Sequence, residues 1–280
     1  MSPARMGHQG ACKRPIISLL TDFGLEDTFV AQMKAVILGI APNAQFVDIT
    51  HAVPPQDVSA GALALEAAWE AFPRGTVHLC VVDPGVGSNR LAIVMRAGED
   101  LFVAPDNGLL TPLFRRFPGA SVRRVEHSNL HRASVSHTFH GRDLFAVTAA
   151  RLATGFPFER VGTVVGQPVM LPAVSTEDLN AGMAGQVIGF DRFGNAATNV
   201  LAGDLDRTAI RLGIPTEALQ VSCQGIGFGA ILQFYSQAPA GAPMALINSA
   251  GRLELAVCCG SSRGLGIRAG DAVMVAQMGC

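Results

Sequence analysis

The sequence has little charge, few aromatic residues and no long apolar run. Charged residues make up 15% of the 280 positions, and the net charge is −1 at pH 7. Because no positive excess exists, electrostatic attraction to nucleic acid or to an anionic membrane has no basis. The longest apolar stretches, such as Ala60–Leu65 and Met244–Ile247, are far too short to span a bilayer. We therefore expect neither nucleic acid nor a membrane as partner, and a small ligand fits better.

Paired cysteines and several common catalytic motifs are also missing. The six cysteines form no CxxC pair, and the chain has no HExxH, no GxSxG and no Walker A motif. A zinc site of ordinary spacing is therefore not expected. Cys80 lies in an apolar run and Cys258 adjoins Cys259, a pattern typical of reduced thiols and of a cytoplasmic protein. Residues 1–14 are basic but have no apolar core, so we interpret them as a loose leader rather than a signal peptide.

The first 165 or so residues alternate between short apolar runs and helical patterns. Spacing of this kind indicates βαβ units and a largely parallel sheet, so we predict an α/β domain over residues 15–172. Asp27 is the expected N-cap of the first helix. The main predicted strands are Ile16–Leu20, Phe46–Ile49 and Thr76–Val82, with shorter ones at Leu91–Arg96 and Leu101–Ala104, and the predicted helices are Phe29–Ile40, Val58–Phe72, Leu109–Phe117 and Arg142–Leu152.

The pattern changes beyond this point. Two prolines and the polar stretch Ser175–Asn180 indicate a linker. Short β-prone runs broken by glycine then predict a smaller antiparallel β domain, a sandwich or barrel, over residues 181–280. The segment Gly225–Gly229 resembles a dinucleotide-binding loop, but it lacks a βαβ context and is interpreted as a glycine-rich turn. The predicted strands are Gly185–Phe190, Leu219–Cys223, Met244–Asn248, Leu253–Cys258 and Ala272–Ala276.

Polar signatures follow three of the predicted strands in the first domain. They are Thr21–Gly24, Asp83–Gly87 and Pro105–Gly108. Any one of them alone would be interpreted as a turn. In parallel sheets, however, ligands bind at the carboxyl ends of the strands, and three such signatures at one edge favour a site.

Asp83, Arg90 and His140 are the candidate catalytic residues. Asp83 ends an apolar run, so its carboxylate is expected to be partly desolvated and to need a partner. Arg90, seven residues later, can fold back to it across a glycine-rich loop, although a loop-bracing ion pair is the commoner role of such a pair. The segment Ser136–Asp143 contains two histidines, a glycine turn and an Arg-Asp pair, and His140 is its better candidate for proton transfer.

Two polar turns in the second domain are candidates for ligand binding. Tight hairpin turns are the simplest alternative for both. Asp191 can hold an ammonium group and Phe193 can stack on a base. Asn195 and Ser249 can form hydrogen bonds.

Six sequence blocks together resemble a known family. Each block is a weak signal alone, but their order is that of the S-adenosyl-L-methionine hydroxide adenosyltransferase family, which comprises hydrolases related to the fluorinase and the chlorinase. The resemblance covers nearly the whole chain after Arg14. The blocks are Leu19–Gly24, Val47–Val58, Val81–Gly87, Ala104–Leu110, Ser136–Asp143 and Asp191–Asn195.

The resemblance implies an adenosine-forming S-adenosyl-L-methionine hydrolase with an α/β domain and a β-barrel-like domain. It further implies a homotrimer, in which each active site lies between one subunit's first domain and its neighbour's second domain. Asp83, Arg90 and His140 match the family's water-activating residues, and Asp22 matches the carboxylate that binds the ribose hydroxyls. The remaining matches are Asp191 and Ser249 for the methionine amino and carboxylate groups, Phe193 and Asn195 for adenine, and Tyr235, Ala250 and Cys259 as further substrate contacts.

Asp83 also favours hydrolysis over halogenation. The halogenating relatives lack an acid at this position, and a carboxylate would repel a halide strongly in a dry pocket. A halogenase of the same fold and a non-catalytic adenosyl-ligand sensor stay open as alternatives. Because the sulfonium leaving group departs as a neutral thioether, no metal or other cofactor is expected. Either Asp83 or His140 can serve as the base.

Overall fold

A computed structural model describes residues 14–277 of the chain, which divides into two compact units. One unit ends at Leu171 and the other begins at Pro172. Each unit has its own apolar core. Most of the predicted leader lies outside the described residues.

Within residues 14–171, the first unit is a six-stranded sheet with helices on both faces. Its strands are β1 (Ile16–Thr21), β2 (Gln45–Thr50), β3 (Val77–Val81), β4 (Ala92–Ala97), β5 (Asp100–Pro105) and β6 (Ser121–Arg124), and its helices are α1 (Phe29–Ile40), α2 (Val58–Ala68), α3 (Thr111–Arg116) and α4 (Ala146–Ala153). The strand order is β2-β1-β3-β5-β4-β6. The pairings from β2 through β5 are parallel, whereas β4 is antiparallel to both of its neighbours.

Burial on both faces explains why the four inner strands, β1, β3, β5 and β4, are nearly continuous apolar runs. In β1, Ile17 belongs to one core and Leu20 to the other. Helices α1 and α4 pack on the first face, where Met33 is fully buried, and α2 and α3 pack on the second, where Leu65 is fully buried. Such layering is characteristic of α/β domains. The predicted α/β fold with a largely parallel sheet is confirmed.

Several predicted element boundaries are wrong by a few residues. The N-cap of α1 is Thr28 rather than Asp27, because the first helical hydrogen bond runs from Gln32 N to Thr28 O. Helix α2 ends at Ala68, four residues before the predicted end, and continues only as a 3-10 turn. The last helix of the unit begins with a π-helical turn, Gly141–Phe145, which leads directly into α4.

Within residues 172–277, the second unit contains a closed seven-stranded barrel. Its elements are β7 (Glu177–Leu179), β8 (Gly182–Phe190), β9 (Ala196–Leu201), α5 (Ala202–Leu212), β10 (Leu219–Cys223), β11 (Ile226–Leu232), β12 (Pro243–Ile247), β13 (Arg252–Val257) and β14 (Ala272–Gln277). The barrel runs β14-β10-β11-β12-β13-β9-β8 and closes by pairing of β14 with β8, while β7 adds to β8. All barrel pairings are antiparallel except β11 with β12. The predicted barrel-like domain is confirmed.

Two local features of this unit differ from the sequence-based prediction. Helix α5 follows β9 without a break and was not predicted. The segment Gly225–Gly229 is mostly strand β11 rather than a glycine-rich turn, since the turn is confined to Gln224 and Gly225, which both have positive φ. A register shift opposite Gly229 marks a β-bulge, and Gly229 has φ +73°, a conformation that glycine adopts readily.

Candidate active site

Asp22 and Asp83 follow neighbouring strands at one edge of the first sheet. Thr21, the last residue of β1, is the register partner of Val81, the last residue of β3. Both aspartates therefore lie at the carboxyl edge, where parallel sheets bind ligands. Asp22 is half-buried, and its Oδ2 accepts a hydrogen bond from Gln56 N at 2.7 Å. Gln56 has φ +66°, an unusual backbone conformation for a residue other than glycine.

The loop after Asp83 packs closely against the segment that leads to His140. Gly87 has φ +77°, and a Cβ at this position would lie 2.4 Å from the carbonyl oxygen of His137. A glycine is thus required both by the backbone conformation and by the space between the two segments. This contact brings the return of the loop, and with it Arg90, towards His140.

The structure brings Asp83, Arg90 and His140 into one hydrogen-bonded cluster. Arg90 Nε donates to Asp83 Oδ1 at 2.9 Å, and Arg90 Nη2 donates to Asp83 Oδ2 at 2.5 Å. The same Nη2 lies 2.7 Å from His140 Nδ1. The carboxylate and guanidinium side chains are only 5% and 10% exposed. Charge-assisted bidentate pairs of this kind are among the strongest hydrogen-bonded contacts.

Burial and the Arg90 guanidinium together favour a neutral His140, and the guanidinium selects its tautomer. Arginine has no acceptor atom, so His140 Nδ1 accepts the hydrogen bond and a neutral imidazole carries its proton on Nε2. Burial lowers the pKa of His140, and the positive charge of Arg90 lowers it further. The imidazole is therefore neutral at pH 7. Arg90 also lies over the ring of Phe145, with 5.1 Å between its Cζ and the ring centroid.

The Arg-Asp pair next to His140 braces the loop. The Asp143 side chain is 1% exposed and accepts hydrogen bonds from Ser136 N and from both Nε and Nη2 of Arg142, at 2.7–2.9 Å. The hydrogen bond from Arg142 lowers the pKa of Asp143. Sequence reasoning grouped this pair with the catalytic candidates, but its hydrogen bonds join the two ends of the segment Ser136–Asp143.

Asp191 and Asn195 enclose a tight turn in the second unit. Asp191 Oδ1 accepts from Asn195 N at 2.8 Å, and Asp191 Oδ2 accepts from Asn195 Nδ2 at 2.9 Å. Gly194 has φ +84°, and a Cβ there would collide with Ser261 Oγ. Phe193 is 76% exposed between them. The turn therefore fixes its carboxylate and amide and leaves the aromatic ring available for a ligand.

Tyr235, Ser249 and Cys259 are exposed on other segments of this unit. Tyr235 Oη donates to Glu254 Oε1 at 2.7 Å. Cys259 has φ +55°, and its Sγ lies 4.0 Å from Cys258 Sγ. Sequence reasoning missed Glu254. The available signal was a single acid among the apolar residues of the predicted strand Leu253–Cys258.

The predicted site residues thus form two groups, one in each unit. Asp22, Asp83, Arg90 and His140 lie in the first, and the remaining candidates lie in the second. No three His, Cys, Asp or Glu side chains gather as a possible metal site anywhere in residues 14–277. In the same range, none of the helices is both long enough and apolar enough to cross a membrane.

Known proteins of similar sequence and structure match nearly the whole chain. An (R)-S-adenosyl-L-methionine hydrolase of Thermus thermophilus is 39% identical over 265 residues, covering 92% of this chain and 97% of that protein. A fluorinase of Nocardia brasiliensis is 28% identical over 278 residues, covering 87% and 90%. The crystal structure of an uncharacterized conserved protein from Thermotoga maritima matches with a TM-score of 0.85 and 36% identity, covering 93% of this chain and all of that one.

The family patterns give the same result for both units. The N-terminal domain of the S-adenosyl-L-methionine hydroxide adenosyltransferases matches residues 17–162, and their C-terminal domain matches residues 185–274. These two matches span well over half of the chain. The chain belongs to the S-adenosyl-L-methionine hydroxide adenosyltransferase family.

Proposed function

We propose that this protein hydrolyses S-adenosyl-L-methionine to adenosine and L-methionine by in-line attack of water at the ribose C5′. The observation that carries the proposal is the buried cluster of Asp83, Arg90 and His140 at the carboxyl edge of the sheet. Relatives named (R)-S-adenosyl-L-methionine hydrolase are 34–43% identical, compared with 26–28% for those named fluorinase. The negative charge of Asp83 opposes a halide nucleophile and supports the same choice.

The chemical task of such a site is to activate water, since the sulfonium leaves as a neutral thioether and needs no acid. Arg90 offers positive charge to a developing hydroxide. Each oxygen of Asp83 accepts one hydrogen bond from Arg90 and keeps a lone pair for another. We assign Asp83 as the proton acceptor, because Nδ1 of His140 is already occupied by Arg90. His140 then orients the water through its Nε2–H.

The other predicted residues are proposed to hold the substrate. Asp22 binds the ribose hydroxyls through the oxygen that is not bonded to Gln56. Asp191 and Ser249 bind the amino and carboxylate groups of methionine. The proposed adenine contacts are Phe193 and Asn195, with Tyr235 and Cys259 as further contacts.

We further propose a homotrimer that needs no metal and resides in the cytoplasm. The trimer is supported by the division of substrate-binding residues between domains 15–172 and 181–280, which the family joins across neighbouring subunits. Sedimentation of the active protein as a monomer would contradict it. The cytoplasmic location is supported by the four cysteines in residues 14–277, all of which are free thiols, and cell fractionation tests it.

The decisive experiment follows oxygen from water into the product. EDTA-treated protein is incubated in halide-free buffer with the R and S sulfonium epimers of S-adenosyl-L-methionine in H₂¹⁸O. We expect adenosine two mass units heavier than normal, together with unlabelled methionine, and the same rate with and without EDTA. A product that forms only with added halide would favour the halogenase. Binding without turnover would favour the sensor.

A further inference from the structure

Glu254 is a buried carboxylate near the middle of β13. It is 5% exposed, and it lies opposite Leu246 of β12 in the strand register. Both of its hydrogen-bond donors in the described part of the chain are neutral side chains. A buried charge held only by neutral donors costs stability, because part of its lost hydration is not replaced. Such a costly group points to a role beyond packing.

Each oxygen of Glu254 holds a different segment. Tyr235 Oη donates to Oε1 at 2.7 Å, and Asn248 Nδ2 donates to Oε2 at 3.2 Å. Tyr235 begins the short turn between β11 and β12, whereas Asn248 follows the end of β12. The carboxylate therefore joins two segments that each carry a proposed substrate contact.

The contact with Asn248 fixes the orientation of its amide. With Nδ2 directed at Glu254, Asn248 Oδ1 accepts hydrogen bonds from Ala250 N at 3.0 Å and from Arg252 N at 3.1 Å. These bonds define the turn that presents Ser249. Loss of the carboxylate would leave the amide held only by the two hydrogen bonds to its Oδ1, so the turn would be less firmly fixed.

We infer that Glu254 is a positioning residue for substrate binding, which holds Tyr235 and the Ser249 turn in the arrangement that receives the adenosyl ligand. The inference rests on the proposed function, because Tyr235 and Ser249 are proposed substrate contacts. Glu254 acts through its two hydrogen-bond donors and takes no part in activating water. Loss of Glu254 therefore weakens substrate binding, and the turnover rate of the substrate that is bound stays nearly unchanged.

The test compares Glu254→Ala with Glu254→Gln. Removal of both hydrogen bonds should raise the dissociation constant for S-adenosyl-L-methionine by about tenfold or more, while the single-turnover rate at saturation changes by less than about threefold. The carboxamide keeps the bridge, since its oxygen accepts from Asn248 and its NH₂ donates to the Tyr235 hydroxyl. Glu254→Gln should therefore bind within about threefold of the original protein.

Two further variants control for folding. Tyr235→Phe removes one end of the bridge at an exposed position, so it carries the test if Glu254→Ala does not fold, and it should weaken binding by a smaller factor. Asp100→Ala is the matched control, because Asp100 also accepts two hydrogen bonds, from Gly75 N and Thr76 N, at the opposite edge of the first sheet. It should leave substrate binding unchanged.

Tyr235 supplies a readout that does not depend on turnover. It is the only tyrosine in the sequence, so protein labelled with ¹³C-tyrosine gives a single resonance. Burial raises the pKa of Tyr235, and Glu254 raises it further. In Glu254→Gln the pKa should fall towards the ordinary tyrosine value. Added adenosine and L-methionine should shift the resonance in the original protein and shift it much less in Glu254→Ala.

The outcomes separate the two proposals. Normal binding by folded Glu254→Ala or by Tyr235→Phe would overturn the bridge, and so would a Glu254→Gln variant as impaired as Glu254→Ala. If the original protein releases no adenosine from S-adenosyl-L-methionine, the proposed function fails. The tyrosine resonance and its response to the two products would then still decide whether Glu254 positions the site.

Discussion

Two Asp–Arg pairs lie close to His140, namely Asp83 with Arg90 and Asp143 with Arg142. Both join a carboxylate to a guanidinium, but their other hydrogen bonds differ. Asp83 accepts hydrogen bonds from Arg90 alone among the described residues, and Arg90 extends its contact to the imidazole. Asp143 accepts from Arg142, Arg132 and a backbone amide, so each of its oxygens already accepts two hydrogen bonds. The difference teaches that unused acceptor capacity, rather than residue type, makes Asp83 the proposed proton acceptor and Asp143 a structural carboxylate.

The largest effect on kcat is expected from breaking the Asp83–Arg90 pair or its contact with His140. Asp83→Asn, Arg90→Ala and His140→Ala should each lower kcat by roughly 10²–10⁴-fold, because each removes proton transfer or electrostatic support. The dissociation constant for substrate should change little, and double variants should lose less than the product of the single losses. Single-turnover rates beside calorimetric binding provide the measurement. Equal losses of binding and turnover would instead make these residues substrate ligands.

Breaking the second pair should affect folding rather than chemistry. Asp143→Ala leaves Ser136 N and the arginines without a buried acceptor, and we expect it to lower the free energy of unfolding by about 3 kcal/mol. The rate per folded molecule should stay within a few-fold of the original value. Urea denaturation and active-site titration measure the two quantities. A stable but inactive Asp143→Ala would show that the two pairs share one catalytic role.

A buried histidine, His78, should destabilise the fold at low pH. This limits the acid range over which variants of the two Asp–Arg pairs can be compared. Burial lowers the pKa of His78 to about 4, compared with 6.5 when exposed. The unfolded chain therefore binds the proton more readily than the folded chain. As a result the free energy of unfolding is unaffected above pH 6.5 and falls as the pH is lowered to 4, by up to about 3 kcal/mol. Urea denaturation from pH 7.5 to 4.5 measures this loss. His78→Phe, which keeps a ring beside Phe102, should show a shallower slope.

The smallest effect is a change in the pH profile of catalysis. Protonation of His140 would place a second cation beside Arg90, so kcat/KM should fall about tenfold per pH unit below the lowered pKa of His140, which lies under 6.5. Rates from pH 4.5 to 8, with circular dichroism at each point, separate this limb from unfolding. Asp143→Asn should leave the pH profile of kcat/KM unchanged. If His140→Ala leaves it unchanged as well, His140 has no part in the mechanism.

The sequence predicted the parts of the site that depend on strand ends. Asp22 and Asp83 follow apolar runs, and parallel pairing brings such ends to one edge whatever the details of the loops. The structural role of the Arg142–Asp143 pair was not predictable, because it depends on which carboxylate the amide of Ser136 reaches. Glu254 was missed for a related reason, since its two partners come from turns distant in sequence.

The close packing of Gly87 against the carbonyl oxygen of His137 has a consequence for engineering. The loop after Asp83 packs there against the backbone of the segment that leads to His140, and a Cβ at position 87 would lie 2.4 Å from the carbonyl oxygen. A library that seeks a different nucleophile should therefore vary Asp83 and Arg90 on a fixed loop path and leave position 87 as glycine. The proposed catalytic groups can then be exchanged, while the contact between the two segments stays the same.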